Sequence, residues 1–141
     1  MADNVLPQGW VVWMLDSQRF ALPVGRVARV LPALEVTPLA DAPPAVAGSV
    51  VLQGRVVAVL DLRRCLGLPL RELQLTDSLV LAQGSGGALA FFADTVQGVL
   101  QPADADAAGA VLIRDPWALL GHADRQRLVS ALAAHAPAIV A

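Results

Sequence analysis

The stretch that decides the fold is Ala45-Val-Ala-Gly-Ser-Val-Val-Leu-Gln-Gly-Arg-Val-Val-Ala-Val-Leu-Asp-Leu-Arg63. It contains an apolar run over 49–52, the dipeptide Gln53-Gly54, a second apolar run over 55–60, and an acidic break at Asp61. Two β-branched runs joined by two residues that end in Gly predict a hairpin with positive φ in its turn. The stretch holds no nucleophile, base or metal ligand set, which favours a protein that presents surfaces to partners.

Further short elements flank this hairpin. Asp61 is placed to cap a short helix over 62–66, which Gly67 and Pro69 end. A second hairpin is predicted from strands over 77–82 and 88–93, joined by a flexible glycine-rich turn over 83–87. The apolar run over 10–15 predicts a strand buried on both faces, and Phe20-Ala-Leu22 predicts a short strand after it.

A five-residue pattern occurs twice in the chain. Over 24–31, the spacing of Val24, Val27 and Leu31 predicts a short amphipathic helix that Pro32 ends. Residues 27–31 of this segment follow the pattern Val-x-x-Val-Leu, and the same pattern recurs at 96–100, about 69 positions further along the chain. The repeat indicates two similar lobes.

The C-terminal part predicts a short strand over 110–113, a turn over 117–120 opened by Asp115-Pro116, and a final helix over 123–136. Many short strands with glycine turns and few helices predict small β-barrels with helical appendages. The apolar stripe of the last helix is expected to consist of Leu128, Leu132 and Ala136, widened by Val129 and Ala133.

Composition limits the class of protein. The 141 residues are 56% hydrophobic and 16% charged, which predicts one folding unit that is largely buried or keeps apolar surface for a partner. A net charge of −2, no Tyr and only three Phe and three Trp argue against nucleic acid as a ligand. Mean hydropathy is +0.59, but no uninterrupted run of about 18 apolar residues exists, so no direct membrane insertion is expected. The N-terminus lacks signal-peptide features and Cys65 has no partner for an internal disulfide, which predicts a cytoplasmic protein.

Candidate chemistry is sparse, and each candidate has an ordinary structural interpretation. Cys65, His122 and His135 form no closely spaced pair typical of a metal site. The glycines over 84–87 precede a strand and not a helix, so a hairpin turn is favoured over a phosphate loop. Arg63-Arg64 is either a small anion patch or, as favoured, a solvated helix face. Trp117 is an exposed interaction anchor or a core residue. No serine context favours a Ser-His-Asp hydrolase.

One longer pattern resembles a known family, the CheW-like adaptors of bacterial chemosensory arrays. It reads Pro43-Pro44-x-Val46-x-Gly48-x-Val50-x-Leu52-x-Gly54-x-Val56-x-x-Val59-x-Asp61-Leu62-Arg63. The resemblance continues on the N-terminal side with Phe20-Ala-Leu22 and Val27-x-x-Val30. On the C-terminal side it continues with Asp94-x-Val96-x-Gly98-Val99-Leu100 and with Gly109-x-Val111-Leu112-Ile113-x-Asp115. The resemblance covers about residues 10–136.

The resemblance implies two interlocked five-stranded β-barrels, no catalysis and no cofactor. It implies a scaffold that links the cytoplasmic tip of a chemoreceptor, bound in the groove between barrels, to the regulatory domain of a CheA-type histidine kinase, bound at an exposed barrel end. An apolar groove suits an amphipathic receptor helix. By motif, the receptor-binding positions are Val27, Val30, Gly48, Gln53, Gly54, Val96 and Val99.

The chain departs from the family pattern in two places. Family members usually read Gly-x-x-Asn-Leu-Arg-Gly, whereas Val51 and Gln53 stand at the Asn and Arg positions here, so a charge-assisted contact is lost. The loop over 102–109 is shorter than usual, and the second barrel is expected to be reduced. Both features predict a divergent member with a specialised partner.

The expected organisation is a single CheW-like domain over 1–141. The first barrel is expected at 18–75, the second at 76–122 with part of the N-terminus, and the C-terminal helix at 123–136. Two alternative functions remain at this point: an accessory subunit that binds only the kinase or another adaptor in a pilus or gene-regulation pathway, and a small-molecule-binding β-barrel.

Overall fold

The computed structural model describes residues 9–104 and 109–135, and within these ranges the chain is mostly β. The predicted class, with short helices and a C-terminal helix, is confirmed. The strands are β1 (Trp10–Leu15), β2 (Gln18–Pro23), β3 (Val27–Pro32), β4 (Val46–Leu52), β5 (Arg55–Leu60), β6 (Ser78–Gly84), β7 (Gly87–Ala93), β8 (Thr95–Leu100) and β9 (Val111–Leu112). The helices are α1 (Leu62–Cys65) and α2 (His122–His135), with 3₁₀ turns at Val24–Arg26, Pro102–Asp104 and Pro116–Leu119.

The strands form two sheets of unequal size. One has five strands in the order β3-β6-β7-β5-β4, and the other has four in the order β8-β1-β2-β9. In the first, Thr37, five residues beyond β3, forms an antiparallel bridge with Ser49 on β4 through two backbone hydrogen bonds of 2.9 and 2.7 Å. This bridge joins the segment just beyond the edge strand β3 to the other edge strand, β4, and we call the five-stranded sheet with this bridge the barrel. The four-stranded sheet agrees with the expectation of a reduced second lobe.

The two sheets are interlocked by an exchange of strands. The hairpin β1–β2 belongs to the four-stranded sheet, but β3, which follows it, pairs with β6 of the barrel. The hairpin β6–β7 belongs to the barrel, but β8, which follows it, pairs with β1. Each sheet therefore takes strands from both predicted ranges, 18–75 and 76–122, and the lobe boundaries themselves stay a prediction.

The Val-x-x-Val-Leu repeat is a pair of bulged edge strands, and the helix predicted over 24–31 is wrong. In β3, Val27 and Arg29 oppose consecutive residues of β6, so Ala28 is an extra residue. In β8, Val96 and Gly98 oppose consecutive residues of β1, so Gln97 is the extra one. A bulge shifts the alternation of side chains by one position, so residues three apart lie on the same face of the strand. This spacing imitates a helical pattern.

The two predicted hairpins are present, but only one has the predicted turn. In β4–β5, Gln53 and Gly54 have φ of 52° and 76°, the two positive values of a type I′ turn. In β6–β7 the turn has two residues, Ser85 and Gly86, and not five. A Cβ on Gly86 would lie 2.7 Å from the Trp117 ring, so this glycine serves close packing and not flexibility.

Three apolar clusters make up the described core. The central cluster lies between the sheets and includes Trp13, Phe91 and Leu128. A second cluster fills the barrel, and a third lies on the other face of β1, around Trp10 and Val12. The prediction that β1 is buried on both faces is therefore confirmed. Trp117 is a core residue, 2% exposed, with its Nε1 donating to the Gly87 carbonyl at 3.0 Å.

The helices differ from prediction in detail. The predicted cap of α1 is confirmed, since the Asp61 carboxylate accepts from the Arg64 N–H. In α2, Leu128 and Ala131 are buried, but Val129 and Ala133 point to solvent and do not widen the apolar stripe. Ala136 lies outside the described residues. No helix in the described ranges has the length and apolar character needed to cross a bilayer.

Candidate functional site

Two of the predicted binding positions lie on β3, on the side of the strand that faces the central cluster. Val27 pairs with Ala82 and Val30 with Val80, and both partners belong to that cluster. Residues directly opposite each other on paired strands share one face of the sheet. Val27 is half-buried against the cluster, whereas Val30 is 45% exposed.

Two further positions repeat this arrangement on β8. Val96 pairs with Trp13 of the central cluster, and Val99 pairs with Val11, which is on the same face of β1. Val96 is half-buried against the cluster and Val99 is 60% exposed. We call the four residues Val27, Val30, Val96 and Val99 the valine surface.

The end of β8 and the 3₁₀ turn that precedes β3 both lie beside Gly9. The Gly9 carbonyl accepts a 2.9 Å hydrogen bond from the Val24 N–H, just before β3. A Cβ on Gly9 would lie 3.1 Å from Val99 Cγ1. The absence of a side chain at this position therefore lets β8 and the chain leading into β3 approach each other.

The other three predicted positions lie on the hairpin β4–β5, at the opposite edge of the barrel from β3. Gly48 is buried, and a Cβ there would lie 2.3 Å from the Thr37 carbonyl oxygen. Its role in the structure is to let Thr37 bridge to Ser49. Gln53 and Gly54 are exposed in the turn. The register puts this turn at the end of the barrel where β3 begins.

An ion network centred on the buried Arg63, which we call the Arg63 network, connects the two sheets. Arg63 is 7% exposed and donates to both carboxylate oxygens of Asp94 at 2.8 Å, to Asp16 at 2.8 Å and to the Pro69 carbonyl at 3.1 Å. Asp94 stands between β7 of the barrel and β8 of the other sheet, and Asp16 lies in the β1–β2 turn. Arg71 continues the network to Asp94 and Asp77.

The network corrects the interpretation of Arg63-Arg64. Arg64 has a half-exposed side chain 3.9 Å from Asp61 and fits the solvated helix face. Arg63 does not fit a solvated helix face, because it is buried and its charge is neutralised within the protein. Arg63 and Arg64 therefore do not form an anion patch. Partial burial opposes ionisation of Asp94, but hydrogen bonds from Arg63, the Asp16 N–H and Arg71 outweigh it and hold the pKa of Asp94 below its usual value.

The described residues offer little for catalysis. Burial, with smaller contributions from Asp61 and Asp124, raises the pKa of the Cys65 thiol to about 11, so it stays protonated and unreactive. Within residues 9–104 and 109–135, no three His, Cys, Asp or Glu side chains are grouped to hold a metal ion. What the arrangement offers is apolar surface on bulged strands, held in place by the Arg63 network.

Comparison with known proteins gives matches of three kinds. A model of the CheW-like domain family matches residues 9–122. The chain is 30% identical over 87 residues to the chemotaxis protein CheW of Thermotoga maritima, an alignment that covers 62% of this chain and 57% of that protein. The crystal structure of the scaffolding protein TtCheW from Thermoanaerobacter tengcongensis matches with a TM-score of 0.62 at 22% identity, over 67% of this chain and 65% of that one. The matched parts are less than two thirds of either relative, and the second likeness concerns the fold.

Proposed function

The chain belongs to the CheW-like domain family, and we propose that it is a non-catalytic cytoplasmic adaptor that couples the cytoplasmic tip of a chemoreceptor to the regulatory domain of a CheA-type histidine kinase. The two named relatives are a chemotaxis protein and a scaffolding protein. Adaptor work needs stable, separate binding surfaces and no reacting groups. The scarcity of catalytic chemistry in the described residues is compatible with this role.

The observation that carries the proposal is the valine surface. Two equivalent edge strands each present one half-buried and one exposed valine at a spacing of three residues. An amphipathic helix repeats its apolar side chains every three to four residues, so it can place them against both strands. We therefore assign the receptor tip to Val27, Val30, Val96 and Val99, with Gln53 and Gly54 at the end of the barrel where β3 begins.

A binding experiment with matched variants tests this assignment. Binding of purified receptor tip is measured by calorimetry for the wild-type chain, for Val99→Asp and for the control Val129→Asp, whose valine is 53% exposed on α2. A carboxylate on the valine surface would be desolvated by an apolar helix, so Val99→Asp should weaken binding at least about tenfold. Val129→Asp should leave binding unchanged. Equal affinity for all three proteins would refute the assignment.

An accessory role within the same family is the second candidate, and the turn residue Gln53 favours it. With Gln in place of Arg, the chain lacks a bidentate donor at the exposed tip of β4–β5. An accessory subunit would bind the kinase regulatory domain or another adaptor but not a receptor tip. Calorimetry with the two partners separately distinguishes the candidates, and binding to neither would reject both.

A further inference from the structure

The four-stranded sheet corresponds, strand for strand, to four strands of the barrel. The bulged strands β8 and β3 share the repeated pattern, and from them the orders β8-β1-β2-β9 and β3-β6-β7-β5 match. β9 pairs in parallel with β2, as β5 pairs in parallel with β7. The barrel has one more strand, β4, which is antiparallel to β5 on its other side. No strand in the described part of the chain takes the equivalent place beside β9.

The backbone of β9 consequently has an unpaired outer side, which we call the β9 edge. The Ile113 N–H donates to the Ala21 carbonyl of β2 at 2.8 Å. Backbone groups alternate in direction along a strand, so the N–H and C=O of Leu112 point away from β2. In the barrel, the equivalent residue Val59 pairs with β7 on one side and with Gly48 of β4 on the other. Among the described residues, Leu112 has a strand partner on the β2 side alone.

A cavity of about 170 Å³ gives an independent sign that the four-stranded sheet can accept another strand. It is lined by Val12 of β1, Arg19 of β2 and residues 97–100 of β8. Val12 belongs to the third cluster, against which Leu112 packs, and the corresponding cluster of the barrel includes Val50 of β4. In the barrel β4 also bridges to the segment after β3, so a strand beside β9 would likewise approach β8 and this cavity. The volume is below the roughly 300 Å³ of small-molecule pockets but admits an apolar side chain.

The charges at this edge are positive. Arg19 lines the cavity, and no carboxylate does. Arg114, which follows β9 closely, is exposed, and its guanidinium carbon lies 5.8 Å from the centroid of the Trp10 ring. The ring contact holds this cation beside the β9 edge. Opposite charge on a partner speeds association and selects among partners, so a segment that carries carboxylates is favoured.

A second copy of this chain fits the β9 edge less well than a different protein does. The edge strands of the two sheets are β3, β4, β8 and β9. None of them contains Asp or Glu, so none brings a carboxylate within its own strand to Arg114. Two β9 strands paired edge to edge would also share only Val111 and Leu112 from each copy. The charges and the short strand therefore favour a partner of different sequence.

We propose that the β9 edge binds an extended segment of a partner protein as a fifth strand, antiparallel to β9, and that this segment has alternating apolar residues and Asp or Glu at its N-terminal end. Main-chain hydrogen bonds to Leu112 supply affinity, and the side chains that face the sheet supply specificity. One apolar side chain enters the cavity beside Val12, and the carboxylates meet Arg114. The site stands independently of the adaptor function proposed above.

Synthetic peptides and a matched pair of variants test the site. The probe is a short peptide that alternates valine and threonine and begins with glutamates, and a second peptide begins with lysines instead. Two further versions of the glutamate peptide carry backbone N-methyl groups at odd or at even positions. The variants are Arg114→Glu and the control Arg127→Glu, whose arginine is exposed on α2. Affinity is measured by fluorescence anisotropy, and exchange of the Leu112 N–H is followed by NMR.

The glutamate peptide should bind at least about tenfold more tightly than the lysine peptide and should slow exchange of the Leu112 N–H. One methylated peptide should keep this affinity and the other should lose at least about tenfold, because only one set of N–H groups faces β9. Arg114→Glu should reverse the charge preference, and Arg127→Glu should not. If Arg114→Glu lowers the unfolding midpoint, Arg114→Gln replaces it and should abolish the preference.

Three results would overturn the inference. They are the absence of binding by every peptide, equal binding by the two methylated peptides, and a charge preference that is the same with and without Arg114. Dimerisation of the chain alone, with slowed exchange of the Leu112 N–H, would assign the edge to a second copy and overturn it as well.

Discussion

Replacing Arg63 by Met should destabilise the protein by about 3 kcal/mol, whereas the same change at the neighbouring Arg64 should cost less than about 0.5 kcal/mol. Methionine keeps much of the packing of the arginine stem and removes the four hydrogen bonds to Asp94, Asp16 and Pro69. Breaking a buried ion pair costs about 3 to 5 kcal/mol. The lower value applies because Asp94 keeps its bonds to Arg71 and to the Asp16 N–H, and because water reaches the Asp16 side chain, which is 46% exposed.

The assay is urea unfolding followed by circular dichroism, with the free energy of unfolding extrapolated to water. For a chain of this length, 3 kcal/mol corresponds to a fall of about 10 °C in Tm. Arg64→Met is the matched control, because its side chain is half-exposed and 3.9 Å from its partner. Equal free energies of unfolding for the two variants would refute the conclusion that the Arg63 network stabilises the contact between sheets.

Three further outcomes are expected. Because the pKa of Asp94 is lowered in the folded state, its stabilising contribution is complete above the ordinary aspartate pKa of about 3.9 and is lost as the pH falls through the folded-state value. The stability difference between wild type and Asp94→Asn should therefore narrow below about pH 4 in urea titrations, and a constant difference would contradict this. Gly86→Ala should lower the free energy of unfolding by about 1 to 3 kcal/mol, because the added methyl group would clash with the Trp117 ring. Gly25→Ala, at a position with open space, should leave it unchanged. Equal free energies of unfolding for the two variants would exclude the clash. Val27→Asp should lower the free energy of unfolding by more than about 1 kcal/mol, since Val27 packs against the central cluster. Val99→Asp should change the free energy of unfolding by less than about 0.5 kcal/mol, since Val99 is exposed. A larger loss for Val99→Asp than for Val27→Asp would contradict the environments described for the two valines.

The strands of the fold could be predicted from sequence wherever side chains alternate or run continuously apolar. This holds for β1, whose predicted and observed bounds agree, and for the hairpin β4–β5 with its Gln53-Gly54 turn. Prediction from alternation fails at β3, because the extra residue Ala28 breaks the alternation and places side chains of the same face three residues apart. The same pattern recurs in β8, and the repeat predicts two similar lobes. Treating both copies as one kind of element would have favoured two bulged strands over a helix.

Long-range contacts were not accessible to the same reasoning. Arg63 is buried because Asp16 and Asp94, from distant parts of the chain, both reach it, and local charge patterning carries no record of this. Gly86 is a glycine because Trp117 packs on it across 31 positions of sequence. For the candidate site, motif resemblance assigned four valines on two bulged edge strands, two half-buried against the central cluster and two exposed. It also assigned Gly48, whose burial against Thr37 is a matter of barrel closure.

The unequal size of the two sheets gives one short chain two different surface features. The exchanged strands β3 and β8 are equivalent in sequence, in bulge position and in exposure, so the valine surface is built from matching halves. The connections that follow them differ. Residues 33–54 include β4 and bridge back to close the barrel, whereas β9 begins eleven residues after the end of β8. Val36 and Ala47, which belong to that longer connection, line a cavity of about 330 Å³ at the end of the barrel away from the Gln53 turn. A repeated element thus supplies the valine surface, and the loss of symmetry between the repeats supplies the cavity.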